Sequence, residues 1–400
     1  MRRIVIAGIS TRAAAESAAR AGFDVTAIDA FADLDQYPSV RALSIPRPFT
    51  ARAAARAARD IECSAVTYLS NFENHPDDVR ELAAGRELWG NPPAVLRRVR
   101  DPESLERALG RRGMAVPRVR LPPPRIARRR AALERSEGGK PDTTARGTDP
   151  DGERDWLVKP LASGGGHAVQ KWVRGTPVAD DCYLQELVGG WPGSVVFVAA
   201  RGRTLPLGMT RQLVGDRAFG ATGYRYCGSI MAPAWGDDVL GKAACALASA
   251  VAEEFDLVGV NGLDFIARDT CPFAIEVNPR WTASTELAER ACGLNVFEAH
   301  ADACSLGALP DLDVAAARSP AWALGKAIVF AREDVRIGDP SVWLGDASVR
   351  DVPHAGERIR SGRPVCTVFA AGRDDAACYA ALVCRAERVY ADLDAWRLRI

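Results

Sequence analysis

Glu276, Asn278 and Arg280 occupy alternate positions in the segment EVNPR, and Asp264 precedes them in NGLDF. Side chains in a strand alternate between faces, so Glu276 and Asn278 share one face and Arg280 continues the row. VGVNGLDFIARD and CPFAIEVNPR read as the two arms of a hairpin, which places Asp264 beside the other two. Three hard oxygen donors suit magnesium, with manganese as the alternative, because magnesium takes few protein ligands and completes its shell with water and phosphate oxygens. The planar guanidinium of Arg280 suits a phosphoryl or carboxylate oxygen. The competing reading is a half-buried strand with a polar rim. It accounts less well for Glu and Asn at these positions, since both disfavour strand interiors.

A second group lies upstream, in WLVKPLASGGGHAV. A strand ends near Lys159, and a loop carrying Gly164, Gly165 and Gly166 follows. Glycines let backbone N–H groups approach phosphate oxygens, while an ammonium meets the charge directly. Lys159 is one of five lysines against 47 arginines, so a retained lysine invites a reason. A compact ammonium fits a tight phosphate site where a guanidinium does not. The strand YLQELV (183–188) offers backbone to the edge of an adenine; most strands of this kind are only strands.

These groups need elements to hold them. IVIAG, an Ala-rich helix closed by Gly22, and FDVTAID form a β-α-β unit of open α/β type. The first turn reads GISTR rather than G-x-G-x-x-G, which argues against a dinucleotide site. A helix near 50–59 and a strand at 64–69 follow. The loop SNFENHP then places Glu73, Asn74 and His75 where ligands of open α/β sheets gather, unless it is only a polar turn. DPESLERAL starts a helix with an Asp cap and Pro at its first position. Residues 122–154 are rich in charge, Pro and Gly and read as a flexible surface insertion; their Arg run at 125–130 reads as solvated surface. DWLVKPL, GHAVQKWV, DCYLQELV, SVVFVAA and TLPLGMTRQLV read as one antiparallel meander. A helix at 238–255, the hairpin, further helix to about 307, strands over 323–370 and a helix at 373–389 complete the chain.

Bulk properties narrow the field. At 400 residues the chain exceeds one core, and a net charge of +1 leaves no nucleic-acid footprint. No apolar run has the roughly 20 residues of a membrane helix, and MRRIVIAGIS reads as a first buried strand rather than a leader. Ten cysteines without a CxxC pair fit a reducing, cytoplasmic setting and argue against zinc.

In this order, the motifs resemble the ATP-grasp superfamily over nearly the whole chain: VKPLASGGG as phosphate lid, LQELV as adenine hinge, NGLDF with EVNPR as the magnesium strands. The opening AGISTRAAAESAARAG and the closing GRPVCTVFAAG are similar to a carboxylate–amine ligase and carboxylase-related subgroup that includes tyramine–glutamate ligases of methanofuran-type coenzyme synthesis. The resemblance implies an α/β and α+β protein: an N-terminal Rossmann-like pre-ATP-grasp domain (1–97), an ATP-grasp domain (98–310) and a C-terminal β-rich segment (311–400) packed on it. It also implies that Lys159 and Gly164–Gly166 bind ATP phosphates. Backbone at Glu186 and Val188 would meet adenine, while Asp264, Glu276 and Asn278 would hold magnesium and Arg280 would steady an acyl phosphate.

Two features depart from the family pattern. Where many members carry a lysine before the first helix of this domain, this chain has Arg97 and Arg100, and Arg100 is the candidate replacement. After the hinge stands GGWPGS, without the usual ribose carboxylate. Candidate substrate contacts are Glu73, Asn74, Arg211 and Tyr226, with Tyr224, Arg225 and His167 nearby in sequence; each could equally pack or cover surface. The expected reaction joins a small carboxylate to an amine through an acyl phosphate. A carboxylase-like reaction through carboxyphosphate, or nucleotide binding without turnover, are the alternatives. A homodimer is compatible with the sequence; neither nucleic acid nor membrane is an expected partner.

Overall fold

The computed structural model of the chain describes residues 2–45, 48–122, 154–232, 238–311 and 322–397. Of the insertion expected to be flexible, 122–154, residues 123–153 lie outside the described residues.

Strands β1 (Arg3–Ala7), β2 (Asp24–Asp29), β3 (Arg41–Ser44), β4 (Ala65–Tyr68) and β5 (Glu87–Trp89) form a parallel sheet in the order β3-β2-β1-β4-β5. The central strand is apolar on both faces because helices cover both. Ile4 and Ile6 pack with Ala14, Ala15 and Ala18 of α1 (Arg12–Arg20). Val5 and Ala7 pack with Ala51 and Ala54 of α2 (Ala51–Ala57) and with Val79 and Leu82 of α3 (Pro76–Leu82). Two short helices, α4 (Pro93–Val99) and α5 (Pro102–Arg111), lead out of this unit. The Asp101 carboxylate caps α5 by accepting the Ser104 N–H at 3.2 Å.

The expected single meander divides into two sheets. Strands β6 (Val119–Arg120), β7 (Trp156–Pro160), β8 (Gln170–Lys171) and β9 (Cys182–Glu186) form one, in the order β6-β9-β7-β8. Strands β10 (Trp191–Ala200), β11 (Arg203–Val214), β12 (Tyr226–Met231), β13 (Gly259–Arg268) and β14 (Cys271–Asn278) belong to a second. The two sheets differ in burial. From Gly193 to Ala200 every residue of β10 is buried, as suits the middle of a large sheet, whereas β7 and β9 are largely half-buried. Helices α6 (Val239–Phe255), α7 (Thr285–Cys292) and α8 (Val296–Ser305) share its core through Leu247, Val251, Leu287 and Phe297.

The C-terminal residues continue that same sheet. β15 (Ala323–Phe330) pairs with β12, and β19 (Pro364–Gly372) pairs with β15. With β17 (Val349–Arg350) at the far edge, the order is β14-β13-β10-β11-β12-β15-β19-β17. A small pair, β16 (Val335–Arg336) and β18 (Arg358–Ile359), and helix α9 (Ser341–Leu344) fill the connection. Helix α10 (Asp375–Arg397) buries Leu382, Ala386 and Val389 against Val329 and Val368.

Register sets a polar row across this sheet. Glu276 lies opposite Asp264, Asp264 opposite Ser194, and Ser194 opposite Thr210. Further along, Gln212 lies opposite Ser229, and Ser229 opposite Lys326. Directly opposed residues share a face, so the row runs along one side of the sheet.

His300 of α8 ties the parallel sheet to the large one. Its Nδ1 accepts the Val260 N–H at 2.9 Å; its Nε2 lies 3.2 Å from Thr67 Oγ1 and 3.3 Å from the Trp89 carbonyl oxygen. Burial lowers its pKa to about 4, opposed only by the Trp89 carbonyl. In an unfolded chain it titrates near roughly 6.5. The ring is therefore neutral in the fold, and its contribution is complete above roughly pH 6.5. As pH falls toward about 4, the unfolded state takes up a proton that the folded state refuses. Stability is expected to drop by about 3 kcal/mol across that window. Urea midpoints of the wild type and His300→Gln, each measured near pH 7 and near pH 5, test this. The wild type should lose more on acidification, and equal losses would refute the assignment.

Candidate active site

The β13–β14 hairpin brings the carboxylates together. Asp264 and Glu276 are direct partners, as are Gly262 and Asn278. Asp264 is half-buried. Its Oδ2 accepts Asn278 Nδ2 at 2.9 Å and its Oδ1 accepts Gln212 Nε2 at 2.9 Å. Burial, reinforced by the charge of Glu276, pushes its pKa up to about 7. Glu276 is displaced the other way. Burial opposes its ionisation, but Arg100, Lys159 and Arg280 together hold it below the usual carboxylate range.

Arg100 is the hub. It forms an ion pair with Glu276 and donates to the Val277 carbonyl at 3.2 Å, to Asn74 Oδ1 at 3.0 Å and to the Ser163 carbonyl at 3.1 Å. One guanidinium thus joins the hairpin, the loop after β4 and the glycine loop. On the opposite side, Arg280 pairs with Glu73 at 2.7 Å and donates to Asn278 Oδ1 at 3.1 Å and to the Trp281 carbonyl at 3.1 Å. Glu73 is 1% exposed, and its Oε2 has no hydrogen-bond partner.

These donors fit a divalent cation. The direct partners of Asp264 are neutral amides, so its carboxylate faces the like charge of Glu276 with Arg280 as a cation that acts on it without a direct bond. A metal ion would relieve that strain. Among the described residues no three His, Cys, Asp or Glu side chains are grouped to hold a metal. The candidate for a third oxygen is the Asn278 amide, whose nitrogen points at Asp264. Ligation requires that amide to turn over.

Lys159, on β7, is buried and donates to Gln185 Oε1 at 3.1 Å; Gln185 in turn donates to the Ile275 carbonyl at 3.1 Å. Its ammonium lies 5.8 Å from the Tyr183 ring centroid. Lys159, Arg100, Ser163, Tyr183 and Glu276 line a cleft of only about 30 Å³, so a nucleotide has to part the glycine loop from its floor. That loop is docked. The Tyr226 N–H donates to the Gly165 carbonyl at 3.1 Å, and Gly166, at φ +73°, sits where a Cβ would lie 1.8 Å from the Tyr224 carbonyl oxygen. His167, in the same loop, is lowered by burial and by Arg225 and Arg363.

The remaining candidates separate. Asn74 reaches the Ser163 carbonyl at 3.4 Å and so joins the Arg100 group. The Tyr226 hydroxyl lies 2.9 Å from Ser229 Oγ, in a buried chain that continues through Ser284 and Ser194 to Thr210. Arg211 is not at the site. Alternation turns Thr210 and Gln212 toward Asp264 and turns Arg211 to the other face, where it makes a two-pronged pair with Asp375, with contacts from 2.7 to 3.1 Å. Gln212 is the neighbour that charge-based reasoning passed over. At the hinge, the Glu186 N–H is already taken by the Arg118 carbonyl at 2.9 Å and its carboxylate meets Arg154, while Val188 is buried. The Glu186 N–H is therefore not free for a base edge.

Arg211→Ala is expected to leave turnover within about twofold, because the exposed pair contributes about 1 kcal/mol or less and only to stability. Steady-state rates beside thermal midpoints check this; a large loss of kcat with an unchanged midpoint would return Arg211 to the site.

Residues 107–284 match the family model of the ATP-grasp domain. The chain carries an ATP-grasp domain. The match contains Lys159, the glycine loop and the metal-type hairpin. Glu73, Asn74 and Arg100 precede it in the chain and contact residues within it. The whole chain has the ATP-grasp fold: biotin carboxylase from Campylobacter jejuni, solved as an ATP complex, superposes with a TM-score of 0.68 over 95% of this chain and 89% of that one, at 14% identity. L-amino acid ligase from Bacillus licheniformis superposes with a TM-score of 0.64 over 96% of both chains, also at 14% identity. In sequence, an uncharacterised protein of Methanocaldococcus jannaschii is 27% identical over 124 residues. That segment spans 30% of this chain and only 28% of the relative's length. Among the described residues no helix is long and apolar enough to cross a membrane.

Proposed function

We infer that the protein is an ATP-dependent carboxylate–amine ligase that forms an amide bond through an acyl phosphate. The observation that carries this reading is the convergence on one hairpin of Asp264, Glu276 and Asn278 with three cations, Arg100, Lys159 and Arg280. Such an arrangement neutralises and orients phosphates, and phosphoryl transfer asks little else of a protein.

Lys159 and Arg100 hold the phosphates over β7 and the glycine loop. Asp264, Glu276 and the Asn278 amide would hold magnesium, which supplies charge neutralisation at the β- and γ-phosphates. The substrate carboxylate attacks the γ-phosphorus in line, and ADP leaves. Arg280, braced by Glu73, steadies the acyl phosphate. The amine then attacks the acyl carbon, inorganic phosphate departs, and the ammonium proton passes to a base or to water. Glu73 and Tyr226 bound the acceptor side.

A carboxylase-like reaction with bicarbonate as the carboxylate is the second reading, favoured by the likeness to a biotin carboxylase. The likeness to an amino-acid ligase favours the first. Phosphate and ADP release measured with magnesium or manganese against a panel of amino acids and amines, including L-glutamate with tyramine, and against bicarbonate, separates them. Release that needs a carboxylate and an amine together supports ligation. Release with bicarbonate alone supports the second reading. Tight ATP binding with no release under any condition would reject both and leave a nucleotide-binding protein.

A further inference from the structure

Away from the nucleotide cleft, a cavity of about 560 Å³ opens where the three parts of the chain meet. Helix α1, Trp281, helix α7, the turn into α8 and Arg350 of β17 form its wall. Its volume falls in the range of small-molecule sites, roughly 300–1,000 Å³. The lining mixes charges of both signs, so what matters is which of them are already satisfied.

The carboxylates are committed. Glu16 accepts from Arg12 at 3.0 Å and from Arg20 at 2.6 Å. Glu289 pairs with Arg20 and accepts the Val296 N–H at 2.9 Å. Glu286 is shared by three cations: Arg12 at 2.9 Å, Lys326 at 2.8 Å and Arg290 at 3.3 Å. These cations include two buried ones, Arg12 and Lys326, so Arg290 shares Glu286 with both.

The cations on the cavity wall are less well served. Arg290 has its 3.3 Å contact with Glu286, and its guanidinium carbon lies 3.8 Å from the Phe369 ring centroid, a contact that does not itself use its N–H groups. Among the described residues Arg350 has no carboxylate partner. Its Nη1 donates only to the carbonyls of Val349 at 2.8 Å and Asp346 at 3.5 Å. Burial, opposed by Glu286 and aided by the charges of Arg12 and Arg350, holds Arg290 below its ordinary value. A planar fork with free donors is suited to carboxylate or phosphate oxygens, and two such forks on one wall reinforce each other.

We propose that this cavity binds a small organic anion, through a carboxylate or phosphate group seated between Arg290 and Arg350, with Trp281 and Leu294 covering its apolar part. The site is distinct from the nucleotide cleft and stands whether or not the ligase reading does. It lies one peptide from the reaction centre, since the Trp281 carbonyl accepts from Arg280.

Isothermal titration of the full-length protein, saturated with ADP and magnesium, tests the proposal with two probes: inorganic phosphate and succinate. Chloride at matched ionic strength is the blank. At least one probe is expected to bind saturably, at one equivalent per chain. Arg350→Gln and Arg290→Gln are each expected to weaken that binding about tenfold or more, the scale of a lost charged hydrogen bond. Arg211→Gln, whose side chain pairs with Asp375, is the control and should leave it unchanged. Tighter phosphate than succinate assigns a phosphate-bearing ligand, and the reverse order a carboxylate. Absence of saturable binding by both probes overturns the proposal. So does binding that survives Arg350→Gln undiminished, because phosphate held beside the nucleotide would behave that way. Arg350 is half-exposed and bonded only to backbone, so this variant decides the matter even if Arg290→Gln fails to fold.

Discussion

Glu276→Gln is expected to cut kcat by about 100-fold or more, the scale seen when one preorganised charge-stabilising group is removed from an active site. The fold should lose far less. Arg100 keeps its bonds to Asn74 and to the carbonyls of Ser163 and Val277, so the guanidinium is not left stranded when the carboxylate becomes an amide. Those three contacts decide between two accounts of the residue. If Glu276 serves only as a strut for Arg100, its loss should lower the melting temperature and leave the rate per folded molecule intact. If it serves the phosphates, the rate collapses and the magnesium concentration needed for half-maximal rate rises. Rate against magnesium, with melting temperature measured in parallel, reads both. Full magnesium-dependent turnover in Glu276→Gln would reject the metal site and most of the proposed reaction.

Lys159→Ala is expected to lower kcat/KM for ATP by about 100- to 1,000-fold. Lys159 is buried beside Tyr183, with a single hydrogen bond to Gln185, and it already acts on Glu276 across a narrow cleft. Removing it takes away the phosphate partner without breaking an ion pair in the fold. Lys159→Arg is the more telling variant. The charge stays, but the wider, flatter group has to enter a cleft of about 30 Å³. It should recover little of the loss. Rescue to near wild-type rate by arginine would show that charge alone is needed, and normal turnover in Lys159→Ala would remove the residue from the phosphate site.

Strand alternation carried much of this architecture in the sequence. EVN set beside NGLDF has one sensible pairing, and the structure realises that register, with Asp264 opposite Glu276. The parallel N-terminal sheet was equally plain, because buried parallel strands read as unbroken apolar runs such as IVIA. Arg211 shows where such reading fails. Its charge drew attention, but in a strand the neighbour at an odd step faces away, and the polar Gln212 is the residue that touches Asp264. The hydroxyl chain from Tyr226 to Thr210 had no signal at all. Its members come from four separate segments, and serine and threonine are common in any sequence. The split of the expected meander into two sheets depended on which edges pair over long range, which local pattern does not encode. Arg100, noted only as a substitute for a lysine, proved to join three segments that are distant in the chain.

The closure of the large sheet by C-terminal strands has a consequence for how the protein is made. β12 carries Tyr226 and Ser229, and one of its edges is covered only by β15. During synthesis, every residue of the β13–β14 hairpin has been made well before β15 and β19 exist. Until then β12 presents a bare row of N–H and C=O groups, the kind of edge that recruits another chain. Nascent chains stalled before residue 323 should therefore be aggregation-prone or held by chaperones, although they contain the complete matched family region. The unit that the ribosome must finish is larger than the unit a family model recognises.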